Sequence, residues 1–169
     1  MESQTFENIL HTYGDYILRL CYTYTKDWQI AEDLTQETFI RYYNAQKNFR
    51  HDAEVKTYLY RIAINRCKSY LTTSRFKQFI FQDFSSKMKA KEDVESVIER
   101  KEQAYELFKL IEMLPLKYRE VIVLYHYFEM TTLEISNILK VPENTVKTRL
   151  RRGRKQLSNK LEKGDEGIG

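Results

Sequence analysis

Glycine and proline, the residues that most often interrupt helices and strands, are scarce in this chain, and their scarcity limits its possible folds more than any other feature. The 169 residues include two prolines and five glycines, and three of the glycines lie within the last six positions. An all-β domain needs many turns rich in Gly and Pro. Dinucleotide-binding and P-loop folds need a glycine-rich phosphate loop. The sequence excludes both classes and predicts an all-α fold.

The chain offers no segment for a membrane and no pattern for a metal. No signal-like apolar segment follows the first residues, and no apolar run approaches the roughly 20 residues that cross a bilayer. We therefore expect a cytoplasmic protein without membrane insertion. Cys21 and Cys67 have no CxxC pattern, and the three histidines lack ligand spacing. We expect two buried thiols, no metal and no cofactor.

Apolar residues in the first part of the chain recur every three or four positions, as in amphipathic helices. One stripe covers residues 6–24, and Asp27 can cap a second helix at about Trp28–Ala45. A third stripe begins at Val55. These patterns predict a helical bundle over 1–74. The expected buried residues of the second helix are Ile30, Ala31, Leu34, Phe39 and Tyr42.

Composition changes after the first block and divides the rest of the chain. Residues 75–98 contain a cluster of four phenylalanines (76–84), followed by two serines and a charged run, which indicates a linker. Residues 99–163 again show helical periodicity and predict a second small domain. We expect the glycine-rich end, 164–169, to be a disordered tail.

The second domain contains the pattern of a helix-turn-helix motif, in which a short helix and a turn precede a longer helix. Thr131 or Thr132 can cap the short helix, and Pro142 marks the start of the long one. The second helix of such a motif enters the DNA major groove. Its predicted DNA contacts are Glu143, Asn144, Thr145, Lys147, Thr148, Arg149, Arg151 and Arg152.

Charge supports this interpretation of the motif. The whole chain has a formal net charge of only +4, which identifies no partner. Residues 140–163, however, contain nine Lys or Arg and two acidic residues, a net charge of +7, so the remainder carries −3. A solvated basic helix is the simpler explanation. We favour DNA binding because the helix-turn-helix spacing and the charge fall on the same helix.

Two segments of the first block also carry functional signals. Acidic residues around Leu34 and Phe39 suit docking to a basic protein surface, although an ordinary amphipathic helix has the same pattern. In the third helix, tyrosines alternate with Arg61, Asn65 and Lys68. Aromatic platforms beside a basic track are typical of single-strand binding, although a packed helix with a polar outer face remains the alternative.

Three stretches of the sequence resemble the extracytoplasmic-function (ECF, group IV) RNA polymerase sigma factors of the sigma-70 family. They are AEDLTQETFIRYY at 31–43, NFR and TYLYRIAINRCKSYL within 48–71, and LPLKYREVIVLYHYFEMTTLEISNILKVPENTVKTRLRRGRKQL at 114–157. The resemblance covers nearly the whole chain. It implies a non-enzymatic protein whose partners are core RNA polymerase, promoter DNA and an anti-sigma factor.

The resemblance also implies roles for particular residues. The region 2-like part (1–74) would bind core polymerase and open the −10 element, and the region 4-like part (99–163) would bind the −35 element as a duplex. The implied polymerase contacts are Asp33, Leu34, Gln36, Glu37 and Phe39. The implied contacts to the −10 non-template strand are Asn48, Phe49, Arg50, Tyr58, Arg61, Asn65 and Lys68.

The sequence departs from the family pattern near the helix-turn-helix motif. Glu129, Lys140 and Asn144 stand where glycine is frequent. Gly153 lies inside the predicted second helix of the motif, where glycine is unfavourable. These departures affect the expected promoter sequence rather than the resemblance itself. A stand-alone helix-turn-helix regulator remains the alternative function. A catalytic site is not expected, because the sequence shows no nucleophile, base and acid in a recognisable pattern.

Overall fold

The computed structural model describes residues 5–46, 54–73 and 99–166, with side chains described for 104–164 in the last range. The described residues are all-α and form two compact helical units, as the sequence predicted. The seven helices are α1 (Phe6–Thr25), α2 (Trp28–Ala45), α3 (Val55–Thr72), α4 (Glu99–Glu112), α5 (Leu116–His126), α6 (Thr132–Leu139) and α7 (Glu143–Glu166).

The first unit is a bundle in which α1, α2 and α3 all pack against one another. Lys26 ends α1 with a left-handed backbone (φ 56°), and Asp27 then caps α2 by accepting a hydrogen bond from the Ile30 N–H (2.9 Å). The predicted bounds and cap of α2 are confirmed. The core of this unit contains Ile9, Ile17, Leu20, Tyr24, Ala31, Leu34, Phe39, Tyr42, Leu59, Tyr60, Ala63 and Ile64.

Two free thiols meet inside this core. Cys21 of α1 and Cys67 of α3 are fully buried, and their side chains are hydrogen-bond partners. The hydrogen bond to Cys21, together with burial, raises the pKa of Cys67 well above its usual value. The expectation of two buried thiols is confirmed, and they pack here as small apolar side chains.

The second unit is built around α5, whose Val121, Ile122 and Leu124 are buried. Helix α7 packs on α5 at Gly153. A Cβ at Gly153 would lie 3.0 Å from Cγ1 of Ile122, so the close approach of the two helices explains a glycine inside a helix. The other core residues of this unit are Leu114, Tyr118, Phe128, Met130, Ile135, Val146 and Leu150.

The backbone explains why glycine is frequent in the family at two positions where this chain has another residue. Glu129 (φ 54°) and Lys140 (φ 55°) both adopt the left-handed conformation. This conformation costs a non-glycine residue roughly 1–2 kcal/mol, which is why glycine suits these positions. Asn144, by contrast, lies within the first turn of α7 and needs no special backbone.

The expected disordered tail at 164–169 is corrected. Helix α7 continues to Glu166, so it includes the first three residues of the predicted tail 164–169. The linker and its phenylalanine cluster at 76–84 lie outside the described residues. In the part of the chain that the structure describes, none of the helices combines the length and the apolar character that spanning a membrane requires.

Candidate functional site

The outward face of α2 differs from the predicted polymerase-docking set. Asp33, Gln36 and Glu37 are exposed, as that set requires. Leu34 and Phe39 are only 3% and 4% exposed and belong to the core. The structure thus buries these two predicted contacts, and their role in docking stays a prediction. The helical period explains their burial, because positions 34, 38 and 42 follow the buried stripe while 33, 36, 37 and 40 lie on the opposite face.

Besides Trp28 at its first position, α2 has two exposed large apolar side chains, at positions that sequence reasoning missed. Ile40 is 59% exposed and Tyr43 is 54% exposed. Ile40 follows Asp33, Gln36 and Glu37 at helical spacing, so this face of α2 combines acidic, amide and apolar groups. Spacing from Asp33 alone could have identified Ile40, since position 40 is seven residues further along the helix.

An open groove of about 880 Å³ separates α2 from α3. It brings together Glu37, Tyr58 and Asn65 from the predicted sets. It also contains residues that the sequence sets left out. These are Ile40, Arg41, Asn44, Ala45, Ile62 and Arg66.

An ion pair and an aromatic contact shape this groove. Arg66 donates through Nε (2.9 Å) and Nη2 (2.6 Å) to Oε2 of Glu37, so it ties α3 to α2. The ring of Tyr58 lies 6.0 Å from that of the buried Tyr42, with 57° between the ring planes. Tyr58 is thus held by the core and half exposed in the groove, as a stacking platform must be.

The other predicted contacts of α3 lie elsewhere. Arg61 and Lys68 are half-buried and do not line the groove, so the groove does not bring all the predicted contacts of α3 together. Nε of Arg61 is buried without a hydrogen-bond partner among the described groups. Tyr60, one of the alternating tyrosines, is a core residue. Asn48, Phe49 and Arg50 lie outside the described residues.

In the second unit, helices α6 and α7 form the predicted helix-turn-helix. A reciprocal cap begins α6, because Thr131 Oγ1 accepts from the Glu134 N–H (3.2 Å) and Glu134 Oε2 accepts from the Thr131 N–H (2.7 Å). The hydroxyl of Ser136 donates to the carbonyl of Val141 (2.6 Å) and closes the turn. Thr131 is therefore the cap of the two candidates.

Two predicted DNA contacts on α7 are engaged within the unit. The Thr132 hydroxyl donates to Oε1 of Glu143 (2.6 Å), and Nζ of Lys147 lies 3.6 Å from the same oxygen. The Thr132 hydrogen bond is the main cause that lowers the pKa of Glu143. Nη1 of Arg149 lies 3.6 Å from Oε1 of the buried Glu120 of α5. Glu143 and Arg149 thus hold α7 against α6 and α5.

The remaining predicted contacts point away from the core. Asn144, Lys147, Arg151 and Arg152 are exposed, and Thr145 and Thr148 are half-buried. These side chains include the groups that read DNA directly: Asn pairs with adenine, and Arg or Lys with guanine or phosphate. The geometry therefore separates α7 into residues that hold it and residues available to DNA.

A smaller groove beside α7 adds one cation that the sequence did not indicate. The groove has a volume of about 300 Å³, and α5 contributes Lys117 and Tyr118 to it. Lys117 precedes the helix-turn-helix and belongs to no charge run, so no sequence signal marks it. The lining residues from α7 are Asn144, Thr145, Thr148, Arg149 and Arg152.

Arg154 makes a further contact between α7 and α5. Its Nε donates to Nε2 of His126 (3.3 Å), and its guanidinium lies 5.2 Å from the Tyr125 ring. Burial, followed by the charge of Arg154, lowers the pKa of His126, which favours the neutral imidazole that can accept this hydrogen bond.

These two units define a class of protein. One unit carries a polar groove with an aromatic platform, and the other carries a helix-turn-helix with a basic second helix. Together they describe a modular, all-α nucleic-acid-binding protein. Comparison with known proteins makes the identification more specific. The family model for sigma-70 region 2 matches residues 9–76, and the model for sigma-70 region 4 matches residues 105–157.

Whole-chain relatives agree with the family models. The chain is 33% identical to the ECF RNA polymerase sigma factor SigW of Bacillus subtilis, over 95% of this chain and 90% of the relative. It is 33% identical to the ECF RNA polymerase sigma-E factor of Escherichia coli, over 77% and 73% of the two chains. The chain belongs to the ECF sigma factors of the sigma-70 family.

Solved structures match the fold. The sigma factor RpoE of Bartonella quintana, in complex with the anti-sigma factor NepR, superposes with a TM-score of 0.71 at 21% identity, covering 95% of this chain and 98% of that one. CnrH, in complex with the cytosolic domain of CnrY, gives a TM-score of 0.67 at 20% identity, covering 93% and 87%. At these identities the match concerns the fold.

Proposed function

We propose that the chain directs core RNA polymerase to a defined set of promoters and opens them, with the work divided between its two units. Residues 1–74 bind the polymerase and the −10 element, residues 99–163 bind the −35 element, and residues 75–98 connect them. The observation that supports this proposal is that one chain holds two different surfaces, a polar groove with a half-exposed tyrosine ring and a basic helix in a helix-turn-helix. The groove of α2 and α3 suits an unpaired strand, and α7 suits a duplex.

Polymerase docking uses the outward face of α2. Asp33, Gln36 and Glu37 supply charge and hydrogen-bond acceptors, and Ile40 supplies exposed apolar area. A basic surface on the polymerase would complement this face. Leu34 and Phe39 support the face from inside the core.

The groove between α2 and α3 receives the non-template strand of the −10 element. Tyr58 offers a ring on which a base can stack, and Asn65 offers an amide that can read a base edge. Stacking on an aromatic side chain contributes about 1–3 kcal/mol per base, which helps to offset the few kcal/mol needed to unstack it. The family resemblance also implies that the loop 48–55 forms a pocket for an unstacked base; most of this loop lies outside the described residues, and the pocket stays part of the proposal.

Recognition of the −35 element belongs to α7. Asn144, Lys147, Thr148, Arg151 and Arg152 are the proposed contacts. Glu143 and Arg149 act indirectly, since they hold the helix in place through Thr132 and Glu120. Phosphate contacts from the basic side chains would give binding a strong salt dependence.

The wider setting follows from this role. The chain needs no catalytic group, because nucleotide addition belongs to the polymerase, and it acts in the cytoplasm where the polymerase is. Two related folds were solved with CnrY and with the anti-sigma factor NepR. We therefore include an anti-sigma factor among the proposed partners.

Run-off transcription tests the proposed function. Core polymerase with the purified chain should initiate at a small set of start sites on genomic DNA, and mapping of 5′ ends should reveal a shared pair of upstream elements. Core polymerase alone is the control. Tight binding of the isolated chain to DNA, without polymerase association on gel filtration, would instead indicate a stand-alone regulator.

Replacing Asn65 tests the strand-binding groove. Asn65→Ala removes an exposed amide at the groove, so it should reduce promoter opening while leaving closed-complex binding and thermal stability unchanged. Ser69→Ala, on the next turn of α3, is the matched control. Permanganate reactivity of unpaired thymines reports opening. Equal reactivity in the Asn65 variant and the wild type would remove this residue from the strand path.

A further inference from the structure

The groove between α5 and α7 has cations on both of its sides. Lys117 stands on α5, and Arg149 and Arg152 stand on α7. Asn144, Thr145 and Thr148 add uncharged hydrogen-bonding groups. A volume of about 300 Å³ with this lining suits a small anionic group better than an apolar ligand.

The three cations of the groove have different partners. Arg149 is paired with the buried Glu120, so its charge is largely compensated. Nζ of Lys117 lies 5.1 Å from the centre of the Tyr118 ring, which orients the ammonium without neutralising it. Among the described side chains, no carboxylate lies within ion-pair distance of Lys117 or Arg152. Within the described part of the chain, the charges of Lys117 and Arg152 are therefore not compensated by a carboxylate.

The position of the groove indicates which anion it receives. A recognition helix in the major groove has a sugar–phosphate backbone on either side. Half or more of the hydrogen bonds between proteins and DNA go to phosphate or sugar, and these contacts fix the register of the protein. A cation from a neighbouring helix, placed beside the recognition helix, meets this backbone first.

We propose that this groove is a backbone-phosphate subsite, in which Lys117 and Arg152 bind one DNA phosphate beside the −35 element. This inference rests on the proposed function of α7. Lys117 lies outside the helix-turn-helix and contributes affinity without reading sequence. Arg149, held by Glu120, fixes the spacing of the two sides of the groove.

The first test compares two lysine variants in the reconstituted polymerase complex. Lys117→Gln should weaken binding to duplex promoter DNA by about three- to tenfold and reduce the slope of log K against log salt by about 1. The loss should be equal on all −35 base variants. Lys109→Gln is the matched control, because Lys109 is also an exposed lysine beside a tyrosine ring, 4.3 Å from Tyr105 on α4. It should change neither quantity.

The second test locates the phosphate. Duplexes with a single neutral methylphosphonate, moved along both strands of the −35 region, should bind the wild-type complex less well at one or two positions. At those positions, a methylphosphonate should not weaken the binding of the Lys117→Gln complex any further. Additive losses at every position, or a Lys117→Gln effect that depends on the −35 base sequence, would overturn the proposal.

The design separates this inference from the function on which it rests. If the wild-type complex does not distinguish promoter from random duplex DNA, the proposed function fails. If it does, while Lys117→Gln leaves the salt slope unchanged, only the phosphate subsite fails. Thermal unfolding of the Lys117→Gln chain should match the wild type and exclude a folding defect.

Discussion

The two units relate their functional surface to their core in different ways. In the described part of the first unit, no charged residue is buried and the core is mainly apolar and aromatic, and the proposed binding face of α2 lies on the opposite side of the helix. In the second, Arg119 and Glu120 are buried, and Glu120 pairs with Arg149 of the recognition helix. In the first unit the contact between helices made by a proposed docking residue is the surface pair of Glu37 and Arg66, so stability and recognition are largely separable there, whereas a buried pair couples them in the second.

The difference has a physical origin in how the helices are held together. Three helices of 18 to 20 residues bury enough apolar surface in the first unit to fix their packing. The second unit has shorter helices before α7 and adds polar connections. Nη1 of Arg119 donates to the carbonyls of Glu112 (2.9 Å) and Leu114 (3.3 Å), joining α5 to the end of α4. Such buried groups stabilise only while their partners remain.

The largest expected effect tests, at two adjacent positions of the first unit, whether stability and polymerase docking depend on different residues. Phe39→Ala removes a buried ring that also makes an edge contact with Phe6 (6.5 Å), so it should lower the free energy of unfolding by about 3–5 kcal/mol. Ile40→Ala, one position along, should change it by less than about 0.5 kcal/mol. Thermal or urea unfolding followed by circular dichroism measures both.

Per folded molecule, Ile40→Ala should weaken polymerase binding more than Phe39→Ala does, the reverse of their effects on stability. Ile40→Ala stays folded and should weaken association with core polymerase, measured by co-migration or by fluorescence anisotropy. Phe39→Ala should bind in proportion to its folded fraction. A folded Ile40→Ala chain with unchanged association would move docking away from this face, and a stable Phe39→Ala chain would break the comparison between the units.

A smaller effect is expected for the recognition helix, where one residue serves both purposes. Arg149→Ala leaves the buried Glu120 without its partner on α7 and should cost about 1–3 kcal/mol of stability. Arg151→Ala removes an exposed side chain and should leave stability unchanged while weakening −35 binding. Chemical unfolding and binding to a −35 duplex separate the two outcomes.

A double-mutant cycle sharpens this result. Glu120→Gln and Arg149→Gln should be non-additive, with a coupling energy of about 0.5–3 kcal/mol, if the pair acts as a unit. Additive losses would mean that Arg149 stabilises the unit through other contacts. In that case the coupling between stability and recognition would not pass through Glu120.

The bounds of α2 and most of its buried stripe were accessible from sequence, because they depend on local signals; Ile30, which was expected in that stripe, is half-buried. The cap at Asp27, the limits of α2 and the helix-turn-helix follow from residues a few positions apart. Periodicity also placed Leu34 and Phe39 on the buried side of α2. The structure confirms that both residues are buried, whereas the docking role that the family resemblance assigned to them stays a prediction.

The contacts that hold the sites together were not accessible in this way. Glu37 and Arg66 are 29 positions apart, so no periodicity relates them. Glu120 and Arg149 belong to different helices of the motif region, and each resembles an ordinary surface charge in the sequence. Lys117 stands alone outside the charged run. Such pairs depend on how helices pack, which a single sequence does not encode locally.

The smallest expected effect concerns the start of α7, where Thr132 and Glu143 are hydrogen-bonded. It should appear as a pH dependence of the unfolding temperature. The Thr132 hydroxyl lowers the pKa of Glu143 below its usual value of 4.5. A carboxyl whose pKa is lower in the folded chain stabilises the fold above its unfolded pKa, and this stabilisation is lost as the pH falls through the folded pKa. Thr132→Val should therefore lower the unfolding temperature slightly near pH 7, and the difference from wild type should disappear in acid. In a Glu143→Gln background the same substitution should show no such pH dependence, and a difference that persists in acid would mean that Thr132 stabilises α6 independently of Glu143.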